Sequence, residues 1–125
     1  MIPKKTIIAG SRNITDYNIL LDAIKCISWK IESVVSGTAK GVDTLGERYA
    51  KENNIRVYRF LAQWNEFGKL AGRIRNTEMA KHSEALLAIW DGKSPGTKHM
   101  IEIATRCQLD IFVYRTDIDN KLLSW

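Results

Sequence analysis

The 125 residues suit one domain of common size, and a content of 45% hydrophobic and 26% charged residues excludes a disordered or fibrous chain. The 19 Lys and Arg against 14 Asp and Glu leave a net charge of +5, a surplus that suits a phosphate-bearing partner, small molecule or nucleic acid. The longest wholly apolar run, Ala85–Trp90, is too short to span a bilayer, so no membrane partner is expected. Met1-Ile2-Pro3-Lys4-Lys5 runs straight into a strand-like segment without the apolar core of a signal peptide, and the expected location is the cytoplasm. Cys26 and Cys107 have neither disulfide density nor zinc spacing and read as two packed thiols in a reducing compartment.

In chain order, Lys5–Ala9 reads as a buried strand ending at Gly10. From Asp16 to Trp29, apolar residues recur at three- and four-residue spacing (Tyr17, Leu20, Leu21, Ile24, Ile27), which predicts a helix capped by Thr15 or Asp16. Glu32–Ser36 reads as the second strand, stopped at Gly37, and Asp43–Asn53 as the second helix, closed by Asn53-Asn54. Ile55–Phe60 reads as the third strand, and Leu61–Gly68 as irregular chain before a helix over Lys69–His82. Ala85–Trp90 is the fourth strand, Asp91–Gly96 a loop, Thr97–Gln108 a helix and Asp110–Tyr114 the fifth strand. Strands alternating with helices predict an α/β fold: one Rossmann-like, doubly wound parallel sheet in the order 3-2-1-4-5. The whole chain, 1–125, reads as a single domain, with 115–125 a tail of unknown placement.

In such a sheet ligands bind beyond the carboxyl ends of the strands, where the strand order reverses. Three loops there carry the chemistry. Gly10-Ser11-Arg12 offers a tight turn, a hydroxyl and a guanidinium fork. Ser36-Gly37-Thr38-Ala39-Lys40-Gly41-Val42-Asp43 places two glycines before a helix N-terminus, as a phosphate cradle does, without matching the P-loop or dinucleotide patterns. Asp43 either caps that helix or accepts hydrogen bonds from a ribose. In the third loop, Asp91-Gly92-Lys93-Ser94-Pro95-Gly96-Thr97, the Gly96-Thr97 pair opens the next helix with free N–H groups, and Asp91 is either a turn former or a ligand contact.

Gln63-Trp64-Asn65 precedes a helix carrying Lys69, Gly72, Arg73, Arg75 and Asn76. Trp64 either packs on the sheet edge beside solvated arginines or stacks a base while the cations clamp phosphate. His82 and His99 have no Cys or acid at ligand spacing, so no metal is expected; no cofactor is expected, and no Gly-x-Ser-x-Gly elbow is present.

Taken together, Gly10-Ser11-Arg12, Val35-Ser36-Gly37-x-Ala39-x-Gly41-Val42-Asp43, Gly72-x-x-Arg75-Asn76-x-x-Met79 and Trp90-Asp91-Gly92-Lys93-Ser94-x-Gly96-Thr97 resemble the YspA-like (YpsA-related) branch of the SLOG superfamily, from about Lys5 to Tyr114. The resemblance implies a Rossmann-like domain that binds nucleotides or nucleotide-derived ligands. More distant relatives are the Lonely-guy-type phosphoribohydrolases and DNA-processing protein A, which loads single-stranded DNA. Arg75-Asn76-x-x-Met79 is similar to the Arg-Lys-x-x-Met segment of the phosphoribohydrolases, whose arginine is catalytic, and Gly96-Thr97 to the Gly-Thr of their glycine-rich motif. Their catalytic glutamate falls at Met100, and their Pro-Gly-Gly is replaced by Asp91-Gly92-Lys93. Glycosidic hydrolysis needs a carboxylate beside an oxocarbenium-like centre, which leaves Asp91, Asp43 or, as the weakest choice, Glu102.

Three functions follow in order. The first is binding of a nucleotide or nucleotide-derived small molecule, to sense, carry or sequester it. The second is hydrolysis of nucleoside monophosphates, with Arg75 and Asp91 catalytic. The third is single-stranded nucleic-acid binding, which requires a continuous basic groove with stacking aromatics. Because relatives often dimerise, a homodimer or higher oligomer, with a pocket completed across it, stays open.

Overall fold

The computed structural model describes residues 1–118. Five strands, β1 (Pro3–Gly10), β2 (Lys30–Ser36), β3 (Arg56–Arg59), β4 (Ala85–Trp90) and β5 (Asp110–Arg115), form one sheet in the order β3-β2-β1-β4-β5. Every neighbouring pair is parallel, as the alternation of strands and helices predicts. The helices are α1 (Tyr17–Ile24), α2 (Val42–Glu52), the single turn α3 (Trp64–Phe67), α4 (Ala71–Lys81) and α5 (Pro95–Arg106), with a 3₁₀ turn, Gly68–Leu70, between α3 and α4.

Alternation along the central strands sorts the apolar side chains into two cores. Ile8, Val34, Leu87 and Ile89 pack with Leu20 and Ala23 of α1 and Val42, Leu45 and Ala50 of α2. Ile7, Ala9, Val35, Leu86 and Ala88 pack with Met79 and Ala80 of α4 and Met100 and Ala104 of α5. Thus α1 and α2 cover one face, and α4 and α5 the other. The strand order reverses at β1, and β1 and β4, buried on both faces, are the rigid floor from which the loops rise.

Several boundaries differ from the sequence expectation. The first helix stops at Ile24 rather than Trp29, because the N–H groups of Cys26 and Ile27 bond back only three residues, to Ala23 and Ile24. This tightened turn buries Trp29 under the sheet, where its Nε1 donates to Thr6 Oγ1 at 3.0 Å. Asp16 caps α1 by accepting from the Asn18 N–H. The stretch 61–68, expected to be irregular, contains α3 and enters the 3₁₀ turn. The fifth strand continues to Arg115, so the tail starts later than expected, and from residue 119 onward it lies outside the described residues. Cys26 and Cys107 are exposed rather than packed: each lies just past the end of a helix, where the chain turns outward. No helix among the described residues is long and apolar enough to cross a membrane.

The Trp29–Thr6 bond is buried, so removing the donor leaves a hydroxyl short of a partner in the core. Trp29→Phe is expected to lower the unfolding free energy by about 1–3 kcal/mol at unchanged m, read as a shift of the urea midpoint.

Candidate functional site

Above the carboxyl ends of β1 and β4 lies a cleft of about 480 Å³, within the range usual for small-molecule sites. Ala9 and Gly10 come from β1, and Arg12 and Asn13 from the loop after it. Ala39 and Asp43 come from the β2–α2 loop and the first turn of α2, and Arg75, Asn76 and Met79 from α4. Asp91 and Ser94 through Thr97, with Met100, come from the β4–α5 loop and α5. The floor is apolar, made by Ala9 and two buried methionines, Met79 and Met100.

One residue ties the loops together. Ser11 is buried: its N–H donates to Ile89 O, its carbonyl accepts from Ile14 and Val42, and its Oγ accepts the Asp91 N–H at 3.1 Å. It holds the site without lining it. Gly41 must lie against this residue: it has φ +75°, and a Cβ there would sit 2.4 Å from Ser11 O and 2.5 Å from Arg12 O. Gly41, not Asp43, is therefore the N-cap of α2.

Asp43 instead turns inward, in the first turn of α2, and accepts the Ala39 N–H at 3.1 Å. It is only 5% exposed. Burial pushes its carboxyl up from a usual 3.8 to about 6, although the Ala39 N–H and the Arg75 charge pull the other way. Arg75 Nη1 donates to Gly37 O at 2.7 Å and Nε to Asn76 Oδ1 at 3.3 Å. Gly37 permits this convergence, since a Cβ on it would lie 2.9 Å from Asp43 Oδ2 and 3.2 Å from the Arg75 guanidinium carbon. Burial lowers the Arg75 pKa, and Asp43 opposes that shift.

Asn76 is buried on α4, and its three contacts fix its amide. The oxygen faces Arg75, while Nδ2 donates to Gly96 O at 3.4 Å and to His99 Nδ1 at 3.1 Å. Burial, with Arg73 nearby, lowers the His99 pKa. As the neutral imidazole it accepts from Asn76 at Nδ1 and so carries its proton on Nε2.

Asp91 is a different kind of acid. It accepts from the N–H groups of Lys93 (2.9 Å) and Ser94 (2.8 Å) and from Ser94 Oγ (3.1 Å). The Ser94 and Lys93 amides hold its carboxyl down at about 2. The turn-forming role is thus present, with the same residue on the cleft wall. Because Ser94 spends its hydroxyl on Asp91, it is the N-cap of α5 without a side-chain cap bond. Pro95 occupies the first helical position, so the helix opens before the expected Gly96-Thr97. The N–H groups of Gly96 and Thr97, in its first turn, have no intrahelical acceptor.

The structure therefore brings Gly10, Arg12, Asp43, Arg75, Asn76, Asp91, Ser94, Gly96 and Thr97 to one cleft. It does not bring Ser36, whose Oγ donates to Glu47 Oε2 at 2.6 Å, toward α2. Gly37 and Gly41 act through their backbone beside the cleft, and Gly92 and Lys93 lie outside its lining. Trp64 does not pack on the sheet edge. At 51% exposure it stands on α3, which the expected irregular chain would not have provided, over a smaller adjoining cleft of about 220 Å³ with Lys69, Arg73 and His99. Met79 and Met100 line the cleft without a polar signal in the sequence to mark them, although each lies one helical turn beyond a candidate residue, Arg75 and Gly96. Among the described residues no three of His, Cys, Asp and Glu gather as a metal site would require.

Two variants test this geometry. Ser11→Ala removes the acceptor of the Asp91 N–H and is expected to cost about 1–2 kcal/mol in urea unfolding. The Asp43 carboxyl has a higher pKa folded than unfolded, so its contribution is complete below roughly pH 4 and is lost as pH rises through about 6. Asp43→Asn keeps an acceptor but does not titrate, so its stability relative to wild type is expected to rise by roughly 2–3 kcal/mol between about pH 4 and pH 7. A difference independent of pH would contradict the raised pKa.

The profile of the YspA, cpYpsA-related SLOG family matches residues 4–67. The Gene 61 protein of Mycobacterium phage D29 is 29% identical over 118 residues, covering 86% of this chain and 94% of that protein. No solved structure matches the chain significantly. The matched segment holds the loops after β1 and β2, whereas Arg75, Asp91 and Gly96 lie beyond it. The Gly10-Ser11-Arg12 turn and the Ser36–Asp43 loop thus fall within the shared pattern, and the chain belongs to the YspA, cpYpsA-related SLOG family.

Proposed function

We propose that the cleft binds a nucleotide or nucleotide-derived small molecule, which the protein senses, carries or sequesters. The observation that carries this reading is the split chemistry of the cleft: a methionine floor below, and Arg12, Arg75 and the free N–H groups of α5 around it. Such a cleft offers an apolar seat for a ring and a cationic rim for phosphate. Its place at the strand-order reversal, and the resemblance of its loops to the SLOG pattern, support the same reading.

Binding is favoured over hydrolysis by Met100. It lies in the floor where the phosphoribohydrolase resemblance wants a glutamate, so the cleft lacks that carboxylate. The second reading, N-glycosidic hydrolysis, draws its support from Asp43, whose carboxyl holds its proton up to about 6 within reach of the cleft. Asp91, ionised and held by three donors of its own loop, is less suited to donate a proton. Glu102 lines neither cleft. If the chain is an enzyme, Asp43 with Arg75 is the pair to examine.

A nucleotide panel followed by thermal shift and by chromatography of the ligand separates the readings. Binding predicts stabilisation of about 2.7 kcal/mol at a hundredfold excess over Kd, with the ligand recovered intact. Arg75→Ala is expected to weaken it at least tenfold, by loss of a charge-assisted fork. Release of free base, abolished in Asp43→Asn, would establish hydrolysis in its place.

A further inference from the structure

The smaller cleft adjoins the main cleft, and Arg12, Arg75, Asn76, Pro95 and Gly96 line both, as a waist between them. Their charges differ. The inner part balances two arginines, Arg12 and Arg75, against two carboxylates, Asp43 and Asp91. The outer part is lined by Arg12, Lys69, Arg73 and Arg75 and by no carboxylate.

Arg12, Lys69 and Arg73 form no ion pair among the described residues, and Arg75 is only partly engaged by the fold. Among the described residues the ion pairs are Lys4–Asp110, Arg48–Glu52, Arg59–Glu47 and Arg115–Asp117, none of which involves the outer cleft. Arg75 uses Nε and Nη1 on Asn76 and Gly37, and its Nη2 lies on the outer side, 3.8 Å from where a Gly72 Cβ would be. The edge of the Trp64 ring comes within 3.5 Å of the same point, so Gly72 lies between the ring and the guanidinium. His99 adds a neutral donor at the wall.

From this arrangement we infer that the site takes a nucleotide with a chain of at least two phosphates, the first at the Arg12–Arg75 waist and the second in the outer cleft against Lys69 and Arg73. This rests on the ligand-binding reading above. A monophosphate satisfies the waist and leaves the like charges of Lys69 and Arg73, one helical turn apart on the same cleft, without a counter-charge from the lining. A second phosphate neutralises them through charge-assisted hydrogen bonds.

Inorganic phosphate and pyrophosphate serve as probes that need no knowledge of the base, alongside AMP with ADP and GMP with GDP, all by calorimetric titration at fixed ionic strength. Pyrophosphate is expected to bind at least tenfold tighter than phosphate, and each diphosphate tighter than its monophosphate. In the Lys69→Ala/Arg73→Ala variant, whose two sites are exposed, the diphosphate-to-monophosphate ratio is expected to fall toward one. In Arg75→Ala all the probes weaken together.

Equal affinity for phosphate and pyrophosphate, with Arg75-dependent binding of both, overturns the second-phosphate site while leaving the ligand-binding reading intact. A ratio unchanged in the double variant does the same. Failure of every probe to bind removes the ligand-binding reading and this inference with it. Binding of a ten-nucleotide oligothymidylate tighter than pyrophosphate, lost in the double variant, would make the outer cleft a nucleic-acid groove and overturn the inference too.

Discussion

The four hydrogen bonds of Ser11 are the constraint on which the site depends. Through them the loop after β1 is fixed to the end of β4, to the start of the loop after β4 and to the first turn of α2. The sheet alone would bring these loops near one another; Ser11 sets their spacing. Gly41 follows from it, since only a residue without Cβ can pass so close to the Ser11 and Arg12 carbonyls. The direction of Asp43 follows in turn, because a backbone N-cap at Gly41 frees the carboxylate to turn inward rather than cap the helix.

The two acids of the cleft show how burial at one and local hydrogen bonding at the other divide one residue type into two instruments. Asp91 receives three donors from its own turn and is a fixed negative charge that shapes the mouth. Asp43 receives one backbone donor in a buried place and keeps a proton within reach of physiological pH. An anion arriving at Arg75 would compete with Asp43 for that guanidinium, and the carboxyl can answer by taking up a proton. The charge at Arg75 and the protonation of Asp43 are therefore linked.

Much of the architecture was legible because its signals are local. Alternating apolar runs and amphipathic stretches gave the five parallel strands and their order, and Ala85–Trp90 stands as read. Glycines at strand ends marked where the cleft would open. What escaped was set by tertiary packing. Trp29 reads as the last residue of an amphipathic helix, yet the helix ends at Ile24 and the Trp29 indole packs in the core beneath α1 and α2, bonded to Thr6 of β1. Ser11 and Ser36 look alike as small polar residues after strands, but burial turns one into a clasp and the other toward Glu47. Spacing could not show that α3 holds Trp64 over a second cleft, because the single turn is too short to carry a periodic pattern.

The bond from Asp91 to Ser11 joins residues 80 apart in sequence, and β1 pairs directly with β4. Most of the chain must therefore be made and placed before the first loop meets its counterpart. Contacts of such separation slow folding, because the intervening chain loses its freedom before they form. The cleft therefore exists only once β1 and β4 have paired, and its walls are a product of that long-range closure.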